Sequence, residues 1–132
     1  MFTIYAAYGL QFVSPYNGLK VTGVVGSNVN FTWAFRSGKV DAIQWGTKRD
    51  DVLSIKDLLV DLDRLLTVTK TANSHYSGRV SGIWNGSSPG QVTFTLNQIH
   101  VADEKIYACR LEPESLFVAF VYDIVQLLVL GK

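Results

Sequence analysis

The chain has 132 residues, 12 Lys+Arg against 11 Asp+Glu for a formal net charge of +1, and 48% hydrophobic content. That balance excludes a nucleic-acid surface, which carries a basic excess or stripe, because Lys20, Arg36, Lys39, Lys48, Arg49 and Lys56 are scattered. The length suits a single domain over 1–132 with a real core. The lone Cys109 excludes an internal disulfide and a cysteine zinc site, and His75 and His100 have no close histidine partner, so no metal or cofactor is expected.

The opening FTIYAAYGLQFV is apolar but lacks a basic leader and a small-x-small cleavage site. It is read as the start of a mature domain behind an added initiator Met. No stretch reaches the ~18 to 20 apolar residues that a membrane-spanning helix needs. Alternation with period two then dominates. The expected strands are FTIYAAY, GLKVTG, NVNFTWAF, DAIQW, VLSI, LLTVTK, GRVSGIW, GQVTFTLNQI, KIYACRL and the long FVAFVYDIVQLLVL. Turn-forming SPYNG, VGSN, RSGK, SHYSG and NGSSPG separate them. One segment dissents: DDVLSIKDLLVDLDRLL, with apolar residues at 52, 55, 58, 59, 62, 65 and 66, carries a helical stripe. It reads either as a helix or as two short edge strands joined by an acidic connector with a helical turn at KDLLVDLD. Many short strands at intervals of about ten residues point to an all-β sandwich or barrel.

Several fragments together resemble the immunoglobulin V-set (variable-type) domain over residues 18 to 131. VNFTW supplies Val29 and Phe31, AIQW supplies Ile43 and Trp45, GRV supplies Arg79, and VTFTLNQI supplies Val92, Phe94, Leu96 and Ile99. DEKIYAC supplies Asp103, Tyr107 and Cys109, and IVQLLVLG resembles the closing strand without its usual glycine-rich bulge. The resemblance implies an all-β, V-type β-sandwich of two antiparallel sheets. It also implies an Arg79–Asp103 salt bridge across the base and a tyrosine corner at Tyr107. The departure is the first cysteine. By alternation Trp33 occupies that position, facing Cys109 across the core, so the ~2 to 4 kcal/mol of a disulfide is absent. Cys109 is then an inert buried thiol, in a core held by packing alone.

No nucleophile elbow or comparable catalytic constellation is present, so an enzyme is not expected. Asp57, Asp61 and Asp63 do not have calcium-loop spacing and read as a solvated connector. The sequons Asn30-Phe-Thr32 and Asn85-Gly-Ser87 face outward, which suits glycans on a secretory route. Binding is the better reading. Phe117, Phe120 and Tyr122 form a candidate aromatic patch on the front sheet, though alternation puts at least one of them in the core. Lys48, Arg49 and Asp50 form a charged rim able to pair with Glu112 or Glu114 of a like domain across a two-fold interface. The expectation is an extracellular recognition domain of a cell-surface receptor, partnered by another protein and possibly by its own copy in homophilic adhesion or allorecognition. Nucleic acid is not a partner, and a membrane is reached only through other parts of the protein. The alternatives are an immune-type domain binding a non-self protein or carbohydrate through its end loops, and a structural intracellular module.

Overall fold

The computed structural model describes residues 9–131, so the expected strand FTIYAAY lies outside the described residues. Ten strands follow in chain order: β1 (Gln11–Phe12), β2 (Lys20–Val24), β3 (Val29–Arg36), β4 (Val40–Lys48) and β5 (Ile55–Asp63). Then come β6 (Val68–Lys70), β7 (Val80–Trp84), β8 (Gly90–Leu96), β9 (Ile106–Pro113) and β10 (Val121–Leu130), with a 3-10 turn at Val101–Asp103. They form a four-stranded sheet in the order β1-β3-β8-β7 and a six-stranded sheet in the order β2-β10-β9-β4-β5-β6. This is an all-β, two-sheet immunoglobulin-like sandwich.

Alternation explains the facing surfaces. Val29, Phe31, Trp33 and Phe35 of β3 turn inward, as do Val92, Phe94 and Leu96 of β8 and Val125, Leu127 and Val129 of β10. Side chains in a strand alternate between faces, so each such strand lays one apolar row against the other sheet. Trp45 lies at the centre, stacked on Phe94 (centroids 5.3 Å apart, 12° between planes) and on Tyr107 (5.6 Å, 21°). Burying one side chain of this size contributes roughly 1.5 to 3 kcal/mol, so the aromatic cluster dominates the core.

Two expectations are corrected here. The sheets are not wholly antiparallel, because β2 runs parallel to β10. After β1 the chain leaves the four-stranded sheet through SPYNG, turning on the left-handed Asn17 (φ 53°) and Gly18 (φ 80°), and joins the other sheet at its edge. The dissenting segment is neither a helix nor an irregular connector. Ile55–Asp63 is one nine-residue strand, paired with β4 on one side and β6 on the other. Its helical pattern has a local cause. The register shifts between Trp45 and Gly46, so that Trp45 opposes Val60 while Gly46 opposes Leu58. The extra residue leaves Leu59 and Val60 both buried, and this break in alternation imitates a helical stripe. Asp57, Asp61 and Asp63 therefore stand on a strand and not on a connector.

Candidate functional site: the outward face of the six-stranded sheet

Residues opposed in antiparallel strands share a face, so pairing fixes what the six-stranded sheet shows outward. Cys109 opposes Trp45 and Asp123 in the inward row, so Ala108, Arg110 and Glu112 of β9 face out. One outward row reads Tyr122, Arg110, Gln44, Asp61; the next reads Ile124, Ala108, Gly46, Leu58. The two central positions of the second row are small, and the Ile55 side chain and the Asp57 carbonyl fill the space beside Gly46.

Gln44 organises the first row. Although it points outward it is only 3% exposed. Its amide oxygen accepts from Arg110 Nε at 2.9 Å, and its amide nitrogen donates to Asp61 Oδ1 at 3.0 Å and Glu112 Oε1 at 3.4 Å. A buried amide satisfied on both ends fixes its neighbours. The Arg110 guanidinium in turn lies 5.4 Å from the Phe120 ring centroid, a cation–π contact that holds this aromatic beside the row. None of the three expected patch aromatics is in the core: Phe120 is 46% exposed, Tyr122 is half-buried, and Phe117 is 99% exposed on the loop before β10. Its neighbour Leu116 is 98% exposed.

Two clefts of opposite charge lie at the two ends of the β9–β4–β5 column, the basic one at the sheet's edge beside the inward-phase Thr47 and Asp57, with Lys105 Nζ 5.6 Å from the Tyr76 ring centroid. At the end where β4 begins, a cleft of about 330 Å³ is lined by Asp41, Asp61, Asp63 and Glu112 against a single cation, Arg64. Arg64 is committed to Asp41 at 2.9 Å. At the end where β4 finishes, a cleft of about 310 Å³ is lined by Lys48, Arg49, Lys56 and Lys105 against Asp50 and Asp57. Lys48 and Arg49 donate to the carbonyls of their own connection, at Arg49 and Ile55, and make no salt bridge within 4.0 Å among the described residues. Thus Glu112 stands at one end of the face and Lys48, Arg49 and Asp50 at the other, while Glu114 lies just past β9 with its N–H on the Lys39 carbonyl. The structure does not bring these charges together within one chain. Gln44 and Arg110 were not singled out from sequence, where outward phase on central strands was the available signal, and Asp61 was read there as a connector acid.

The remaining expected residues hold the frame. Arg79 and Asp103 form a two-point salt bridge, at 2.8 Å from Nη1 to Oδ2 and 3.0 Å from Nη2 to Oδ1. Arg79 also donates to the carbonyls of His75, Asn97 and Gln98. His75 Nε2 lies 2.9 Å from Asp103 Oδ1, and the His100 N–H donates to Oδ2. Burial works to raise the Asp103 carboxyl, but its hydrogen bonds from Arg79 and from the His100 N–H outweigh this and hold it below the usual value. Tyr107 donates to the Asp103 carbonyl at 2.6 Å, and burial, with Tyr76 beside its hydroxyl, pushes the phenol up.

Trp33 is where the expectation changes most. Its indole N–H donates to Asp123 Oδ2 at 2.7 Å, and the same carboxylate accepts from the N–H groups of Tyr16 (2.7 Å) and Asn17 (3.0 Å). A carboxylate on β10 therefore ties β3 of the opposite sheet and the crossing segment SPYNG together. The core is not held by packing alone. Cys109 opposes Asp123 in the β9–β10 register, and burial, with that carboxylate nearby, pushes its thiol well up. Asn30 faces out from β3, its Oδ1 accepting from Thr95, and Asn85 is exposed between β7 and β8 with its Oδ1 accepting from Ser87.

No model of a known protein family matches the chain, and neither does any sequence among the curated proteins. Solved structures do. Murine CRIg superposes with a TM-score of 0.68 at 17% identity, over 92% of this chain and 98% of that one. The second Ig domain of the mouse polymeric immunoglobulin receptor gives 0.62 at 17%, over 87% and 98%. A chain from a structure on T cell specificity and activation by the bacterial superantigen toxic shock syndrome toxin-1 gives 0.62 at 16%, over 92% and 98%. These likenesses establish the fold, an immunoglobulin-like β-sandwich, here without the intradomain disulfide. No cluster of three metal-ligating side chains occurs among the described residues.

Proposed function

We propose that this chain is a V-type recognition domain displayed outside the cell as part of a surface protein, and that it binds its own kind in homophilic adhesion or allorecognition. The V-type reading is supported by β5 and β6, which extend the six-stranded sheet beyond β4 as the extra strands of variable-type domains do. The observation that carries the binding reading is the outward face of that sheet, with the Arg110–Phe120 contact, Tyr122, and the protruding Leu116 and Phe117 at one end. Exposed aromatic and arginine side chains beside a satisfied polar row make the kind of surface where binding energy concentrates. Both sequons lie off this face, one on the opposite sheet and one in the β7–β8 connection, so glycans at Asn30 and Asn85 leave it clear. Charge of both signs on one face suits a like partner.

Beads coated with the domain test this. They cluster with one another and not with blank beads, and Phe117→Ala with Phe120→Ala abolishes clustering while leaving the melting temperature unchanged. Wild-type beads that never cluster contradict it. A second reading rests on Leu65 and Leu66, exposed in the connection after β5 at the same end as Leu116 and Phe117. It is an immune-type domain gripping a non-self protein with these loop tips, and it predicts that binding to such a ligand survives changes on the sheet face.

A further inference from the structure

The outer face of the four-stranded sheet differs in kind from that of the six-stranded one. Apart from Arg36 at the end of β3, its strands β3, β8 and β7 contain no charged residue. Pairing fixes two outward rows: Asn30, Thr95 and Ser81 form one, and Thr32, Thr93 and Ile83 form the next. Hydroxyl and amide groups dominate both, with Thr95 Oγ1 donating to Asn30 Oδ1 at 2.7 Å and the Thr32 and Thr93 hydroxyls 3.0 Å apart. Ile83 breaks the pattern, 76% exposed on the edge strand. A lone exposed apolar side chain is ordinary; what singles this one out is the sequon one row away.

In the sequon Asn30-Phe31-Thr32 the fold uses only one end of the amide. Asn30 Oδ1 accepts from Thr95, while Nδ2, the atom that bears the sugar in an N-glycan, makes no hydrogen bond among the described residues. On the secretory placement proposed above, and independently of the homophilic partner, we infer that Asn30 carries an N-linked glycan whose first two sugars lie across β8 onto Ile83. Attachment joins Nδ2 to the anomeric carbon of an oligosaccharide held on a lipid pyrophosphate. The bond from that carbon to the pyrophosphate oxygen breaks, the amide loses one proton, and nothing is oxidised or reduced. The linkage leaves Oδ1 in place, so the sheet keeps its Thr95 bond. With strands about 4.8 Å apart and rows about 6.8 Å apart, Ile83 stands roughly 12 Å from Asn30, a distance that two pyranose rings span. The Thr95 and Thr93 hydroxyls on the way bond sugar hydroxyls, and no charged side chain has to lose its water beneath the rings. The apolar face of the second ring then covers the Ile83 side chain.

Protein secreted from a eukaryotic host that adds high-mannose glycans tests this, in a Ser87→Ala background that removes the Asn85 sequon. Peptide mass mapping is expected to find sugar on Asn30, lost in Thr32→Ala and kept in Thr32→Ser, which preserves the sequon. An Asn30 without sugar overturns the inference. The contact with Ile83 is read from melting curves. Trimming the glycan to its first sugar with an endoglycosidase leaves the polypeptide unchanged, and it is expected to lower the melting temperature by about 3 °C, the scale of uncovering part of one apolar side chain. In Ile83→Ser the same trimming is expected to change nothing. A trimming effect of equal size in the two proteins, or absent from both, overturns the contact. Bead clustering reads homophilic binding separately, so either failure leaves that reading standing.

Discussion

Trp33 stands where the V-set resemblance places a cysteine, and its indole N–H meets the Asp123 carboxylate across the core at 2.7 Å. A hydrogen bond to a charged acceptor is stronger than a neutral one, and losing a buried partner costs more than making the bond gained. Asp123→Ala strands three N–H donors and is expected to lower stability by about 3 kcal/mol or more. Trp33→Phe costs less, and a double-mutant cycle in denaturant should find about 1 kcal/mol or more of coupling between the two sites. Trp33→Cys is expected to be destabilising even beside Cys109, since it leaves a void and deprives Asp123 of a donor. The buried Cys109 thiol should react with alkylating reagents only through unfolding, so its labelling rate in native buffer should follow global opening. At the base, Arg79→Ala leaves the wholly buried Asp103 side chain without its cation, a loss of about 3 to 5 kcal/mol. The folded Asp103 carboxyl titrates below its unfolded value, so its contribution is complete above about pH 4 and disappears as pH falls through the folded value. The gap in melting temperature between wild type and Asp103→Asn should accordingly narrow below about pH 4.

Gly46 shows what an element demands of one residue. A Cβ there would run into the Asp57 carbonyl oxygen and the Ile55 side chain, because β5 crosses β4 closely at the register shift. Gly46→Ala is expected to cost about 3 kcal/mol and to perturb β5 more than β9, which amide exchange along the two strands can distinguish. The same shift explains which elements were legible in the sequence. β3, β8 and β10 alternate cleanly, and Val29–Phe35, Val92–Leu96 and Asp123–Val129 could be placed by phase alone. β5 could not, because a bulge is a property of the pair, and Leu59 beside Val60 carries no mark of what opposes it. The Trp33–Asp123 bond was hidden for a related reason. Asp123 was not singled out from the sequence, because a lone acid on a closing strand names no partner 90 residues away.

For the molecule as a whole, the two-sheet sandwich and the Arg79–Asp103–Tyr107 base were legible through the V-set resemblance, while the proposed binding face was legible only in part. Phe117, Phe120 and Tyr122 stood out as aromatics, and Lys48, Arg49 and Glu112 as charges, but their places on one face depend on pairings that cross the whole chain. On the homophilic reading proposed above, that face and its loop tip recognise a like domain. Sedimentation equilibrium over a wide concentration range, on protein from a secretory host, tests this claim most directly. The account predicts a reversible monomer–dimer equilibrium that Phe117→Ala with Phe120→Ala shifts to monomer. A wild-type domain that remains monomeric at every concentration would contradict it.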